Sequence, residues 1–192
     1  MARKTRFGAP ASPAERDAAR ARWRGLARNR PADVQEPGPG EESVWDYPRP
    51  PRLELCHRHV EVKCGGSIVA ETTRPFRVCE TASPPVYYVP ASDVQTHMLV
   101  RASRDSFCEW KGVASYWHVQ TDSETVDHAG WSYAAPDRGF ERLAGAIAFY
   151  PGKLECFVDG ERVTPQAGDF YGGWVTHEIV GPFKGEPGSE GW

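Results

Sequence analysis

Three groups of residues have the types and spacing to do chemistry. The first is Cys56-His57-Arg58-His59 with Cys64, which offers the thiolate and imidazole donors of a transition-metal site. Along an extended strand, side chains alternate between faces. Cys56 and Cys64 therefore share a face with Val60 and Val62, while His57 and His59 point the other way. No Cys-x-x-Cys pair occurs in the chain, and neither a metal nor any other cofactor is expected. The second group is Phe107-Cys108-Glu109-Trp110-Lys111-Gly112, read as a short loop between strands. Lys111 follows Cys108 by three residues, and an ammonium folded against a thiol lowers its pKa and makes it a candidate nucleophile. The competing reading is a buried thiol with a snorkelling lysine. The third group is aromatic. Strand alternation puts Ala114, Tyr116 and His118 on one face, with Val113, Ser115, Trp117 and Val119 on the other; Ala129, Trp131 and Tyr133 fall together on the next strand. Tyr116, His118, Trp131 and Tyr133 then either line an aromatic concavity with polar tips or pack as core.

Other chemistries lack their residues. There is no Gly-rich phosphate loop, no G-x-G-x-x-G after a strand and no G-x-S-x-G elbow. Asp127 and His128 are adjacent, which on a strand places them on opposite faces, so they form no dyad.

The elements that must position these groups are mostly strands. Turn signals separate short apolar runs at 53–63, 67–72, 75–80, 86–89, 97–102, 113–120, 126–133, 145–150 and 154–163, with a hairpin at Gly65-Gly66 and a helical turn at 91–95 capped by Ser92. No strand–helix alternation suggests a doubly wound sheet. The fold class is mostly β, a compact antiparallel tent- or barrel-like domain. A helix is predicted over 12–29, with Ser12 and Glu15 as a capping box, Pro13 at the first position and Ala19, Trp23 and Leu26 along one face. Residues 31–40 read as a Pro/Gly linker, so the chain divides into a basic helical arm with its linker at 1–40 and a β domain at 41–192. Trp45 and Tyr47 look like anchors in a proline-rich segment, and 165–192 like an extended tail whose aromatics dock back.

Charge follows the same division. Residues 1–30 carry nine Lys/Arg against two acids, a net of +7; the remainder carries 14 against 24, a net of −10. The acidic domain disfavours a phosphate-tracking surface, so nucleic acid is expected only as a weak partner of the arm, which otherwise reads as a solvated tail. Five cysteines without paired spacing, no signal-like N-terminal run and nothing near a membrane span give a cytoplasmic expectation and no membrane partner.

The words Ser83-Pro84-Pro85-Val86-Tyr87-Tyr88, Cys108 to Trp117 and Trp131-Ser132-Tyr133 resemble the bacterial and fungal "domain of unknown function 427" family. So do Ala148-Phe149-Tyr150, Val158-Asp159-Gly160-Glu161, Gly168 to Trp174 and Gly181 to Gly185, and the likeness extends over about 41–192. The resemblance implies a β-tent fold, two sheets pinned at an angle, shared with B-type methionine sulfoxide reductases and the thalidomide-binding domain of cereblon. Many of that group hold a structural zinc on Cys-x-x-Cys pairs; here Lys111 stands where a second cysteine would follow Cys108. A nucleotidyltransferase-like label is also attached to the family, yet paired carboxylates for Mg²⁺ are missing. Ala134 departs from the proline that commonly follows the Trp-Ser-Tyr word. The family brings no established catalytic residues.

Three functional readings follow. The leading one is a small-molecule or modified-residue binding domain, with a pocket at Tyr88, Cys108, Lys111, Tyr116, Trp131 and Tyr133. Lys111 would meet a carboxylate or phosphate, and the rings would stack on a planar or cationic group. The others are an enzyme using Cys108 as an activated thiol, and a structural or interaction module whose arm and tail grasp a partner or a second copy in a homodimer.

Overall fold

A computed structural model of the chain describes residues 12–25, 30–168, 170–189 and 192, and of residues 13 and 22–25 only the backbone. The predicted helix is α1 (Pro13–Gly25). Its capping box forms: Ser12 Oγ accepts from the Glu15 N–H at 3.3 Å, and the Ser12 N–H donates to Glu15 at 2.7 Å. Leu26 and the Trp23 side chain, expected on its apolar face, lie outside the described residues.

The strands are β1 (Glu42–Ser43), β2 (Arg52–Leu55), β3 (Val60–Cys64), β4 (Ser67–Thr72), β5 (Phe76–Glu80), β6 (Ser83–Val89), β7 (Leu99–Cys108) and β8 (Gly112–Gln120). They continue with β9 (Thr125–Ser132), β10 (Ile147–Phe149), β11 (Glu155–Val158), β12 (Glu161–Arg162), β13 (Thr164–Pro165), β14 (Trp174–Val175) and β15 (Ile179–Val180). Seven form one antiparallel sheet in the order β2-β5-β6-β10-β9-β8-β7, and four form a second, β12-β11-β3-β4. Both sheets are open, which corrects the barrel alternative. Two short pairs remain: β13 with β14, and β1 parallel to β15.

Turn chemistry explains several boundaries. Gly65 and Gly66 have φ of +55° and +81°, as a two-residue hairpin between β3 and β4 requires. Asp159 and Gly160, at +48° and +82°, make a second such turn and split the predicted 154–163 strand into β11 and β12. The predicted 53–63 strand also splits. β2 pairs with β5 in the larger sheet and β3 with β4 in the smaller, so 56–59 crosses between sheets. β6 begins earlier than predicted and runs through Pro84 and Pro85. They are tolerated because β10 pairs only with Tyr88 and Val89, leaving the proline end without a partner on that side. The turn at 91–95 is a 3-10 turn over Ala91–Asp93 with Pro90, rather than Ser92, at the cap position.

Three apolar clusters hold the molecule together. The first lies between the sheets, where Val60, Val62, Val69 and Val158 meet Tyr87, Val89, Val119, Ile147 and Phe149. The second covers the opposite face of the larger sheet and is aromatic, including Tyr88, Trp110, Tyr116, Trp131, Tyr133 and Phe140. The third packs Val44, Trp45 and Tyr47 with Ile179, Phe183 and Trp192. Trp45 donates to the Pro182 carbonyl at 2.9 Å and meets the Trp192 ring edge-on at 5.0 Å, so the segment before β2 and the tail dock as their aromatics suggested. Among the described residues no helix is long and apolar enough to cross a membrane.

Candidate functional site

The aromatic face is shaped by a small residue on the strand between two large ones. Ala148 of β10 pairs with Tyr88 on one side and Trp131 on the other. An alanine there leaves the space in which the two rings approach edge-on, at 6.1 Å and 83°, and Trp131 Nε1 donates to the Tyr88 hydroxyl at 3.2 Å. Tyr116 stands directly across from Trp131 on β8, and its hydroxyl lies 2.9 Å from Ser106 Oγ. Tyr133, just past β9, lies 6.3 Å from the Tyr88 ring.

Cys108 and Lys111 enter from the β7–β8 hairpin. Cys108 is the last residue of β7, paired with Gly112, rather than a loop residue. Glu109, Trp110 and Lys111 form the connection, and Gly112 takes φ +97°, the left-handed position that closes a three-residue hairpin.

All six expected residues line one cleft of about 400 Å³. Several residues not expected in the site also stand in its wall: Glu80, Gln166, Phe170, Tyr171, Gly172 and Lys184. Gly172 permits the closest approach, since a Cβ there would sit 2.2 Å from Trp131 Cη2. Phe170 is an exposed ring at the rim. Gln166 bridges this loop to the tail, donating to the Lys184 carbonyl at 2.7 Å and accepting from Gly173 N–H at 3.2 Å. The tail aromatics expected to dock back and the Gly172-Gly173 pair beside them were the available signals; Glu80 and Lys184 had no signal as site residues.

His118 was expected with Tyr116 and is absent from the cleft wall. A bulge explains it: Trp117 pairs with Gly130 and Val119 with Val126, so one residue of β8 opposes three of β9. His128 takes φ +50° there. The bulge also turns Ala129 into the inter-sheet core, away from Trp131 and Tyr133. Asp127 pairs with His118 at 2.6 Å rather than with His128, and the two imidazoles lie 4.8 Å apart. Cys64 is buried with Val60 and Val62, while half-buried His59 bonds Glu71 at 2.9 Å. Among the described residues no three His, Cys, Asp or Glu side chains converge as metal ligands.

The electrostatics of the cleft favour neutral phenols and thiol around a cation. Burial raises the Tyr88, Tyr133 and Tyr150 hydroxyls above the ordinary phenol range. Burial also raises the Cys108 thiol, outweighing the pull of Lys111 in the other direction. Lys111 does pull the thiol pKa down, as expected, but desolvation of a thiolate in the aromatic wall costs more than one ammonium returns, so the thiol is not activated. Burial opposes the Lys111 charge, but Cys108, which is also its hydrogen-bond partner, Tyr88 and the Glu80 carboxylate hold its ammonium above the usual lysine value. Its Nζ lies 5.9 Å from the Phe140 ring, and among the described residues no carboxylate comes within ion-pair distance of it. Glu80 is bridged by Arg49 at 3.2 Å. Trp110 is buried, and its indole N–H has no partner among the described residues.

The family described as Domain of unknown function (DUF427) matches residues 52–160. The chain belongs to the DUF427 family. The match runs from β2 to the turn after β11 and takes in the hairpin and the cleft rings Tyr88, Tyr116, Trp131, Tyr133 and Tyr150. It is shorter than the 41–192 span of the resemblance, leaving outside it Gln166, Phe170, Tyr171, Gly172 and Lys184 of the cleft wall. No curated relative matches this DUF427 chain.

Proposed function

We propose that this DUF427 domain binds a small planar molecule carrying an anionic group in the cleft beneath the Cys108–Gly112 hairpin. The observation that carries the reading is the convergence of four rings and a lysine on one cavity of about 400 Å³. That size suits a small ligand, and the composition is that of a site in which rings supply contact area and a few polar groups set orientation. A cation enclosed by rings and neutral hydroxyls loses hydration, and the carboxylate that acts on it from a distance, Glu80, is already bridged by Arg49. A ligand carboxylate or phosphate offsets that loss, with Lys111 as a point charge.

Two rivals draw less support. A caged cation would be repelled by Lys111. A Cys108 nucleophile needs a thiolate, and the thiol is pushed the other way. The interaction-module reading relies on a free arm and tail, whereas the described parts of both contact their own chain.

The test is a titration of benzoate, phenyl phosphate, benzamide and benzyltrimethylammonium against wild type and Lys111→Met, followed through the Trp110 and Trp131 indole NMR signals. The anions should shift both signals in wild type and lose affinity in Lys111→Met. Tightest binding by the quaternary ammonium would overturn the anionic assignment. Failure of every probe to move either signal would sink the cleft as a site for planar molecules.

A further inference from the structure

The arm was expected to be a solvated tail, yet α1 is fastened to the domain at one spot. Arg16 and Arg20 lie four residues apart, on the same side of the helix. Both reach Asp137, at 3.4 and 2.5 Å. Arg20 Nε also donates to the Glu109 carbonyl at 2.6 Å, and the Arg16 guanidinium lies 5.9 Å from the Phe107 ring centroid. Phe107 and Glu109 belong to the hairpin that delivers Cys108, Trp110 and Lys111 to the cleft. Asp137 is tied to the same hairpin through its backbone, donating to the Lys111 carbonyl at 3.0 Å. The three side chains are partly shielded, between 19% and 28% exposed, so the contact is stronger than an open surface pair and still open to competition from salt.

We infer that α1 is a strap over the cleft: docked on Asp137 it holds the β7–β8 hairpin down, and released it lets the hairpin and Lys111 loosen. The hairpin is gripped from outside by two guanidiniums while its inner side chains form the cleft wall. Release is within reach because α1 has thirteen residues and is rich in charge, and an isolated helix of that length is marginal in water. Undocking therefore melts it, giving two discrete states of the arm. An anion that engages Lys111 stabilises the seated hairpin and so favours the docked helix, and by linkage the docked helix slows the anion's escape. This last step rests on the cleft being the binding site proposed above; the strap does not.

The experiment compares wild type with Arg16→Gln/Arg20→Gln by amide hydrogen exchange, with benzoate dissociation measured by NMR lineshape on the same proteins. Asp137→Asn serves as a second route to the same release, since it keeps the backbone bond to Lys111. In wild type, amides of 17–25 and of 106–112 should be protected. Both variants should speed exchange in both segments by on the order of tenfold, leave β3 and β11 unchanged, and raise the benzoate off-rate by a similar factor. An unprotected helix in wild type, or a hairpin that exchanges at the same rate when the helix is released, would overturn the strap. If the hairpin responds but benzoate does not bind, the cleft reading fails and the strap stands. If benzoate binds and leaves at the same rate in all three proteins, the regulatory step fails and the cleft reading stands.

Discussion

On one face of the seven-stranded sheet, Tyr87, Val89, Val119, Ile147 and Phe149 meet the valines of the second sheet; on the other, Tyr88, Tyr116, Ala148 and Trp131 meet a hairpin and loops. Neighbours on one strand, such as Tyr87 and Tyr88, thus enter different environments. A sheet covers its partner continuously and interdigitates with it. Loops cover unevenly, and their mismatch with large rings leaves an opening. The function proposed here lives on the face where packing is incomplete.

That contrast can be broken most forcefully in the core. Phe149→Ala, between the sheets, should cost about 3–5 kcal/mol in urea unfolding, whereas Tyr116→Ala should cost less, because its ring lines the cleft and its removal enlarges an existing opening instead of creating a new one. Equal losses would mean the two faces are packed alike. Gly172→Ala drives a methyl into Trp131. It should cost about 1–3 kcal/mol and shift the Trp131 indole signal, while an unshifted signal would detach the 168–173 loop from the cleft wall. Lys111→Met should leave stability unchanged or raise it by roughly 1 kcal/mol, since it removes a shielded cation that lacks a carboxylate. A clear loss would reveal a structural partner for the ammonium. Alkylation of the native protein at neutral pH should be slow at every thiol. Cys108 is raised by burial, and Cys79 is raised to about 12 by the same cause. One fast-reacting thiol at Cys108 would revive the nucleophile.

The smallest effect lies far from either face. His177 Nδ1 sits 2.5 Å from Glu161, whose hydrogen bond and charge raise the imidazole above 6.5. Burial opposes it, but hydrogen bonds from His177 hold Glu161 below 4.5. The stabilisation from His177 is complete below 6.5 and fades as pH rises through its raised value. That from Glu161 is complete above 4.5 and fades as pH falls through its lowered value. The pair should contribute fully between about 4.5 and 6.5, and His177→Gln should flatten the stability profile on both sides of that window. An unchanged profile would show the pair contributes nothing.

What the sequence revealed and what it hid separate along physical lines. Alternation and turn chemistry are local, so the Gly65-Gly66 hairpin, the paired faces of β8 and all six cleft residues on β6, β8, β9 and the hairpin were legible. Bulges are not signalled by alternation, so Ala129 and His118 were placed on the wrong side. The far wall is a matter of topology: Gln166 and Lys184 reach the cleft because the tail returns across the domain, and Glu80 because β5 pairs beside β6. Arg20 finds Asp137 across 117 residues of chain. A long-range ion pair leaves no periodic trace, which is why a docked helix read as a solvated arm.

Both sheets are completed from the middle by late segments. β10 sits between β6 and β9, and β11 between β12 and β3. During translation, which proceeds from the N-terminus, β3, β6 and β9 all emerge with an open edge that only residues 147–158 can cover. Nascent chains that stall before that point present ready templates for strand pairing with one another, so the ribosome must deliver this short stretch before either sheet is safe from its neighbours in a polysome.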